Sequence, residues 1–199
     1  MKLLNIKLFF TGIFFTGCFF IATNSKAQNW DINLLRSINP QDPNSVVWKG
    51  FTSSAYPLSV AVPLGLWVDG KIEHNKKTEY NAYEIAGSVI IAAGATEVMK
   101  IIFDRARPYQ TYTDVYPYKY EDGKSFPSGH ASLAFATATS VSLIYKKWYV
   151  VVPAYVWAFG VGYSRLYLGA HYPTDVIGAA ATGAGSALLS HWISKKIFK

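Results

Sequence analysis

Long runs without a formal charge constrain this 199-residue chain more than any other feature. Five apolar stretches follow residue 50: 51–68, 82–103, 131–145, 148–163 and 176–193. The first is uncharged but contains Pro57 and Pro63, and the second carries Glu84, Glu97 and Lys100. The third and fourth are uncharged, and the fifth has only His191 as a titratable group. Each is near the roughly 20 residues needed to cross lipid. A buried helix of a soluble bundle can be as long, so length alone leaves both settings open. The stretches are rich in Ala, Gly, Ser and Thr, small residues that let helices approach closely. Valine and isoleucine do not alternate with polar residues, so strands are not expected. Residues 28–50 are mixed, with Pro40 and Pro43 and a short helix expected around 32–38. The expectation is an all-α fold, a compact helical bundle of one domain over 28–199 with membrane-spanning helices.

The first 27 residues read as an address or an anchor. Lys2 and Lys7 precede the uncharged run 8–23, and the small residues Ser25 and Ala27 follow it. That pattern suits a secretory signal cleaved after Ala27. It also suits an uncleaved first transmembrane helix, although the run is short for one. In either case the chain after Ala27 leaves the cytoplasm. Cys18 is the only cysteine, so no disulfide framework is available.

Charge is scarce, at 16% of residues against about 25% in soluble domains. The formal balance is nevertheless +7. If the chain crosses at every stretch from a cytoplasmic amino terminus, ten lysines fall inside: Lys2, Lys7, Lys71, Lys76, Lys77, Lys146, Lys147, Lys195, Lys196 and Lys199. The other nine basic residues are spread over longer outer segments. This bias favours a bacterial-type inner membrane with residues 104–130 and 164–175 on the periplasmic side. A soluble periplasmic protein with lysines in its loops is the alternative. Most of the basic excess then serves orientation, and no basic surface is left that calls for nucleic acid.

Three clusters fall on that outer side. Lys100 and Arg107 are seven residues apart, two helical turns, so a helix would place both cations on one face. Pro108 disfavours helix at Arg107, which is expected where the helix ends. An ammonium and a planar guanidinium on one point suit a phosphate group. Next, Pro127-Ser128-Gly129-His130 opens the third stretch. Ser128 reads as an N-cap, and the free N–H groups of a helix start suit an anion that Gly129 lets close. Finally, Ser164-Arg165 precede His171 and Asp175, the last two spaced one helical turn apart. A carboxylate there can fix the imidazole tautomer.

Taken together, Lys-x6-Arg-Pro, Pro-Ser-Gly-His and Ser-Arg-x5-His-x3-Asp resemble the signature of the type-2 phosphatidic acid phosphatase superfamily, which also holds bacterial acid phosphatases and vanadium haloperoxidases. The resemblance implies that His171 is a nucleophile oriented by Asp175, forming a phosphohistidine. It implies that His130 is the general acid and later the base, and that Lys100, Arg107, Ser128, Gly129 and Arg165 bind the phosphoryl oxygens. No metal and no cofactor are called for. The expected function is hydrolysis of a lipid phosphate or pyrophosphate at the outer face of the membrane. The alternatives are a soluble nonspecific acid phosphatase and, from another reaction class, a vanadium haloperoxidase.

Three further features carry expectations. Glu97 and Asp104 flank Lys100 and are read as balancing the site's cations. His74 and His191 are read as surface residues. The loop from Tyr109 to Tyr120 holds five tyrosines. It is read either as a lid or interfacial segment, or as an ordinary surface loop.

Overall fold

The computed structural model describes residues 26–198. The run 8–23 and Cys18 lie outside the described residues. Among the described residues there are seven helices and no strands. They are α1 (Lys26–Ile38), α2 (Val46–Ile72), α3 (Lys76–Phe103), the single turn α4 (Pro108–Thr111), α5 (Gly129–Tyr145), α6 (Trp148–Tyr167) and α7 (Pro173–Ile197). The five apolar stretches are thus α2, α3, α5, α6 and α7, each extended at one or both ends. Asn75 caps α3 by accepting from the backbone N–H of Lys77 and Thr78. Asp104 and Lys146, both left-handed, end α3 and α5. Pro57 and Pro63 sit inside α2 and Pro153 inside α6, as membrane helices tolerate.

The long helices run up and down, so their ends sort into two groups. At one end Tyr80 stacks on Phe198 at 4.3 Å and Lys71 pairs with Glu79 at 2.8 Å. At the other, Phe103 meets Phe126 at 4.7 Å and Arg105 reaches Asp175 at 2.6 Å. The lysine-rich connections lie at the first end, and all three motif clusters lie at the second.

Helix α5 is the axis around which α2, α3, α6 and α7 pack. Its residues from Ala131 to Ser140 are all buried, and all but Leu133 and Phe135 are Ala, Ser or Thr. Meanwhile Val60, Leu64, Ile90, Val98, Val156, Phe159, Ile177 and Leu188 are each more than half exposed. Small residues inside and large aliphatic ones outside invert the pattern of a water-soluble bundle. They are what helices need when lipid, not water, surrounds them. Two segments, Lys76–Thr111 and Pro173–Ile197, are long and apolar enough to cross a membrane.

The α5–α7 contact depends on Gly183. A Cβ there would stand 2.4 Å from the Ser132 carbonyl oxygen and 2.7 Å from the Ala136 nitrogen, both backbone atoms that cannot step aside. Gly185, two residues on, has open space at the same position. Gly183→Ala is therefore expected to destabilise the protein by roughly 1–3 kcal/mol. Gly185→Ala is expected to be neutral or to gain up to about 1 kcal/mol from helix propensity. Thermal unfolding of both variants in detergent checks the contrast.

Candidate active site

Helix α3 stops at Phe103, residues 104–107 are not helical, and Arg107 is extended. Lys100 and Arg107 therefore do not share a helix face, contrary to the spacing argument. The left-handed cap at Asp104 turns the chain before Pro108 can act, and Arg107 comes in from the side as the N-cap of α4. Lys100 still arrives near the start of α5. Its Nζ lies 3.9 Å from where a Cβ of Gly129 would stand, and it pairs with Glu97 at 3.0 Å. Glu97 thus balances Lys100 as expected, but Asp104 pairs with Lys124 instead.

Arg107 is only 3% exposed. Its Nε donates to the Gly123 carbonyl at 3.2 Å, Nη1 to that of Ala170 at 3.1 Å and Nη2 to that of Asp122 at 3.1 Å. Arg165, 2% exposed, comes from the last turn of α6 and donates to Thr52 Oγ1. Gly169 then turns the chain at φ +67°, where a Cβ would strike the Tyr116 carbonyl. That turn delivers His171, which is buried between the two arginines and Asp175.

The imidazole has two distinct sides. Nδ1 is 3.4 Å from Asp175 Oδ2 and 3.5 Å from Ser125 Oγ, while Nε2 is 3.4 Å from Nη1 of Arg107. Asp175 is held from several directions at once. Its Oδ2 accepts from Ser125 Oγ and from the Tyr172 N–H at 2.9 Å, and its Oδ1 accepts from Arg105 at 2.6 Å. Arg105 also donates to Asp31 of α1 at 2.6 Å and lies 3.8 Å over the Tyr172 ring. The Asp31 carboxylate in turn accepts from the Thr174 N–H at 2.9 Å. With so many donors on Asp175, the imidazole gets a weak share of the carboxylate. Burial, with Arg165 and Arg107 beside it, pushes the His171 pKa below its usual value despite Asp175.

His130 stands on the first turn of α5, edge-on to the Tyr56 ring at 4.4 Å. It lines a cavity of about 330 Å³ together with Thr52, Tyr118, Glu121, Arg165 and Ala170. Ser128 is the N-cap by backbone geometry, but its side chain makes no capping bond. Its Oγ and the Arg165 Nε are buried without a hydrogen-bond partner in the protein. Buried donors are rarely left so, and each is available to an anion bound at this end of the bundle.

All eight residues singled out in the sequence therefore gather at one end of the bundle. Several others were not legible there. Asp31, Thr52, Tyr56, Arg105, Glu121, Ser125 and Thr174 lie outside the three motifs or at their unspecified positions, and only the fold brings them in. Thr52 and Tyr56 are one helical turn apart on α2, a spacing that offered a signal. Glu121 offered none. Its carboxylate pairs with Arg165 and lies 3.0 Å from Arg107. Burial alone would raise its pKa, but the two arginines outweigh burial and push it down to about 2.

One further expectation changes. His191 is not a free surface residue, because its Nδ1 is 2.8 Å from the buried Glu84 carboxylate at the far end of the bundle. The tyrosine loop is tied down at several points. Asn39 bonds Tyr116 and the Tyr167 carbonyl, Arg36 pairs with Asp114 at 2.7 Å, and the Tyr109 hydroxyl bonds both backbone groups of Glu121.

The PAP2 superfamily profile matches residues 81–199. A bacitracin transport permease protein of Bacillus licheniformis is 33% identical over 113 residues, covering 54% of this chain and 53% of that one. A lipid A 4'-phosphatase of Bacteroides thetaiotaomicron is 36% identical over 75 residues, covering 38% and 33%. The chain thus spans about half or less of these relatives' lengths. The crystal structure of a transmembrane PAP2-type phosphatidylglycerolphosphate phosphatase from Bacillus subtilis superposes with a TM-score of 0.70. It is 25% identical and covers 96% of both chains.

The depressed pKa of Glu121 makes a stability prediction. A carboxylate whose folded pKa lies below its unfolded value stabilises the fold above the unfolded value, near 4.5, and loses that contribution as pH falls toward about 2. The stability difference between wild type and Glu121→Gln should therefore shrink by about 2 kcal/mol between about pH 5 and pH 3. Paired unfolding curves across that range measure it.

Proposed function

The chain belongs to the PAP2 superfamily, and from that premise we propose that it is a phosphatase that removes phosphate from a phosphorylated lipid through a phosphohistidine on His171. The observation that carries this reading is the convergence of three clusters, spread over residues 100–175, on two buried donors that have no partner in the protein. A phosphoryl group fits such a place. Its transition state spreads negative charge over the equatorial oxygens, so positioned cations and N–H groups supply most of the catalysis.

Each residue has a role consistent with its geometry. His171 Nδ1 faces Asp175, which leaves the Nε2 lone pair for phosphorus. As the N–P bond forms, the P–O bond to the leaving group breaks, and His130 gives that oxygen its proton. His130 then takes a proton from water as the water oxygen bonds phosphorus and the N–P bond breaks, releasing phosphate. Arg107, Arg165 and Lys100 neutralise the developing charge, and Ser128 Oγ with the N–H groups at Gly129 supplies hydrogen bonds. Burial beside Arg165 and Arg107 lowers the His171 pKa from its usual value, which favours the unprotonated nucleophile.

The lipid part of the proposal rests on the bundle. Its outer surface is aliphatic, and the site opens at the end away from the lysines, where a headgroup at the membrane surface can reach it. With the lysines inside, that end faces the periplasm. The relatives named for lipid A and phosphatidylglycerolphosphate support a lipid substrate.

The test is hydrolysis of a panel of lipid and soluble phosphates by purified protein in detergent. His171→Ala should lose at least about a thousandfold in kcat while keeping the wild-type melting temperature. His130→Ala should lose about a hundredfold or more on poor leaving groups, and less on an aryl phosphate that departs without a proton. The acid limb of kcat/KM should fall below pH 6.5. Full activity in His171→Ala would overturn the assignment.

A further inference from the structure

Glu121 belongs to none of the motifs, yet its carboxylate stands where two of the phosphate-binding cations meet. One oxygen takes Nη2 of Arg165, and the other lies 3.0 Å from Nη1 of Arg107. The other donors of Arg107 go to backbone carbonyls of Gly123, Ala170 and Asp122, and Nη1 of Arg165 goes to Thr52. Arg165 keeps Nε free, but Nη1 of Arg107, the donor nearest His171 Nε2, is held by this carboxylate, so a phosphate placed against Nε2 and both guanidiniums meets Glu121 there. Behind it lies His171, 2% exposed, whose Nε2 is 3.4 Å from the same Nη1 of Arg107. The Glu121 backbone is fixed, since its N–H and C=O both bond the Tyr109 hydroxyl. The side chain has room, because it lines the cavity of about 330 Å³ that His130 also lines.

We propose that Glu121 is a built-in occupant of the phosphoryl seat, and that substrate enters by exchanging its phosphate for this carboxylate. The inference rests on the phosphatase reading above and adds a specificity rule to it. A tethered carboxylate competes at high effective concentration with any anion of equal charge. A phosphodiester or a free carboxylate brings one negative charge and gains nothing over Glu121. A phosphomonoester, or the terminal phosphate of a diphosphate, brings about two charges and three free oxygens near neutral pH, and it displaces Glu121. Glu121 is thus a specificity residue that admits terminal phosphates and refuses diesters.

The experiment compares wild type, Glu121→Gln and Glu121→Asp in detergent with two probes, inorganic phosphate and dimethyl phosphate. Inhibition constants are read on a phosphomonoester, and the shift of melting temperature with each probe is read without turnover. In Glu121→Gln the inhibition constant for phosphate should fall about tenfold, the magnitude of one lost competing charge pair. Its melting temperature should rise more with phosphate than that of wild type. Dimethyl phosphate should bind the variant and not the wild type. Glu121→Asp keeps the charge but is one methylene shorter, so it should lie between the two and serves if the Gln variant folds poorly. Unchanged or weaker phosphate binding in both variants would overturn the proposal and make Glu121 a support for the arginines. A wild-type protein that neither hydrolyses a phosphomonoester nor is stabilised by phosphate would overturn the phosphatase reading, and this inference with it. Normal wild-type turnover without tightening in the variants would remove only the role of Glu121.

Discussion

Two guanidiniums buried a few ångströms from one carboxylate form the constraint on which the rest of the molecule depends. A buried charge without partners costs several kcal/mol, and removing one member of a pair leaves that cost exposed. Arg107 and Arg165 meet it in the same way, with carbonyls, a hydroxyl and Glu121 around them. Those partners come from separated parts of the chain: α2, the 112–128 loop and the turn after α6. The anchoring of the loop by Asn39, Arg36 and Tyr109 follows from this need. A loop free to wander would withdraw the counter-charge from two buried cations at once.

The inverted bundle explains why the site lies at an end. Along its middle, α5 is sheathed by four helices, and its buried face is mostly Ala, Ser and Thr, so the helices there pack closely. Gly183 against the backbone of α5 is the tightest example. At the ends the helices separate into loops, and extended segments can bring arginines and carboxylates together. The lysine end uses its polar groups for anchoring and for the Glu84–His191 pair. The other end gathers the cations into a cavity.

Much of this could be read from residues alone. The five long helices were visible as apolar stretches in which charge is absent or confined to a few positions, because a helix facing lipid carries little charge. The eight motif residues were visible because their chemistry needs fixed types at fixed spacing. What stayed hidden has physical reasons. The αL cap at Asp104 depends on one residue's backbone angles, so the end of α3 was placed too late and Arg107 was put on a helix it does not join. Glu121, Ser125 and Asp31 act through distances that only the assembled bundle defines. His191 looked like a surface residue because nothing in its own neighbourhood signals Glu84, more than a hundred residues earlier.

Arg105 has a consequence for how the molecule fails. It joins Asp175, beside the buried imidazole, to Asp31 on the first described helix. Helix α1 is held by Ile32 and Leu35 against Val115, Leu166 and Tyr172, by Asp31 on Arg105 and Thr174, and by Arg36 on Asp114. It packs against far less of the bundle than α5 does, so it opens at lower free energy than that core helix. When α1 lifts away, Arg105 loses one of its two anions and keeps Asp175, the Thr174 hydroxyl and the Tyr172 ring. The share of that carboxylate left for His171 then changes. Loosening of this short helix at one end of the bundle thus reaches the buried His171 imidazole through a single arginine.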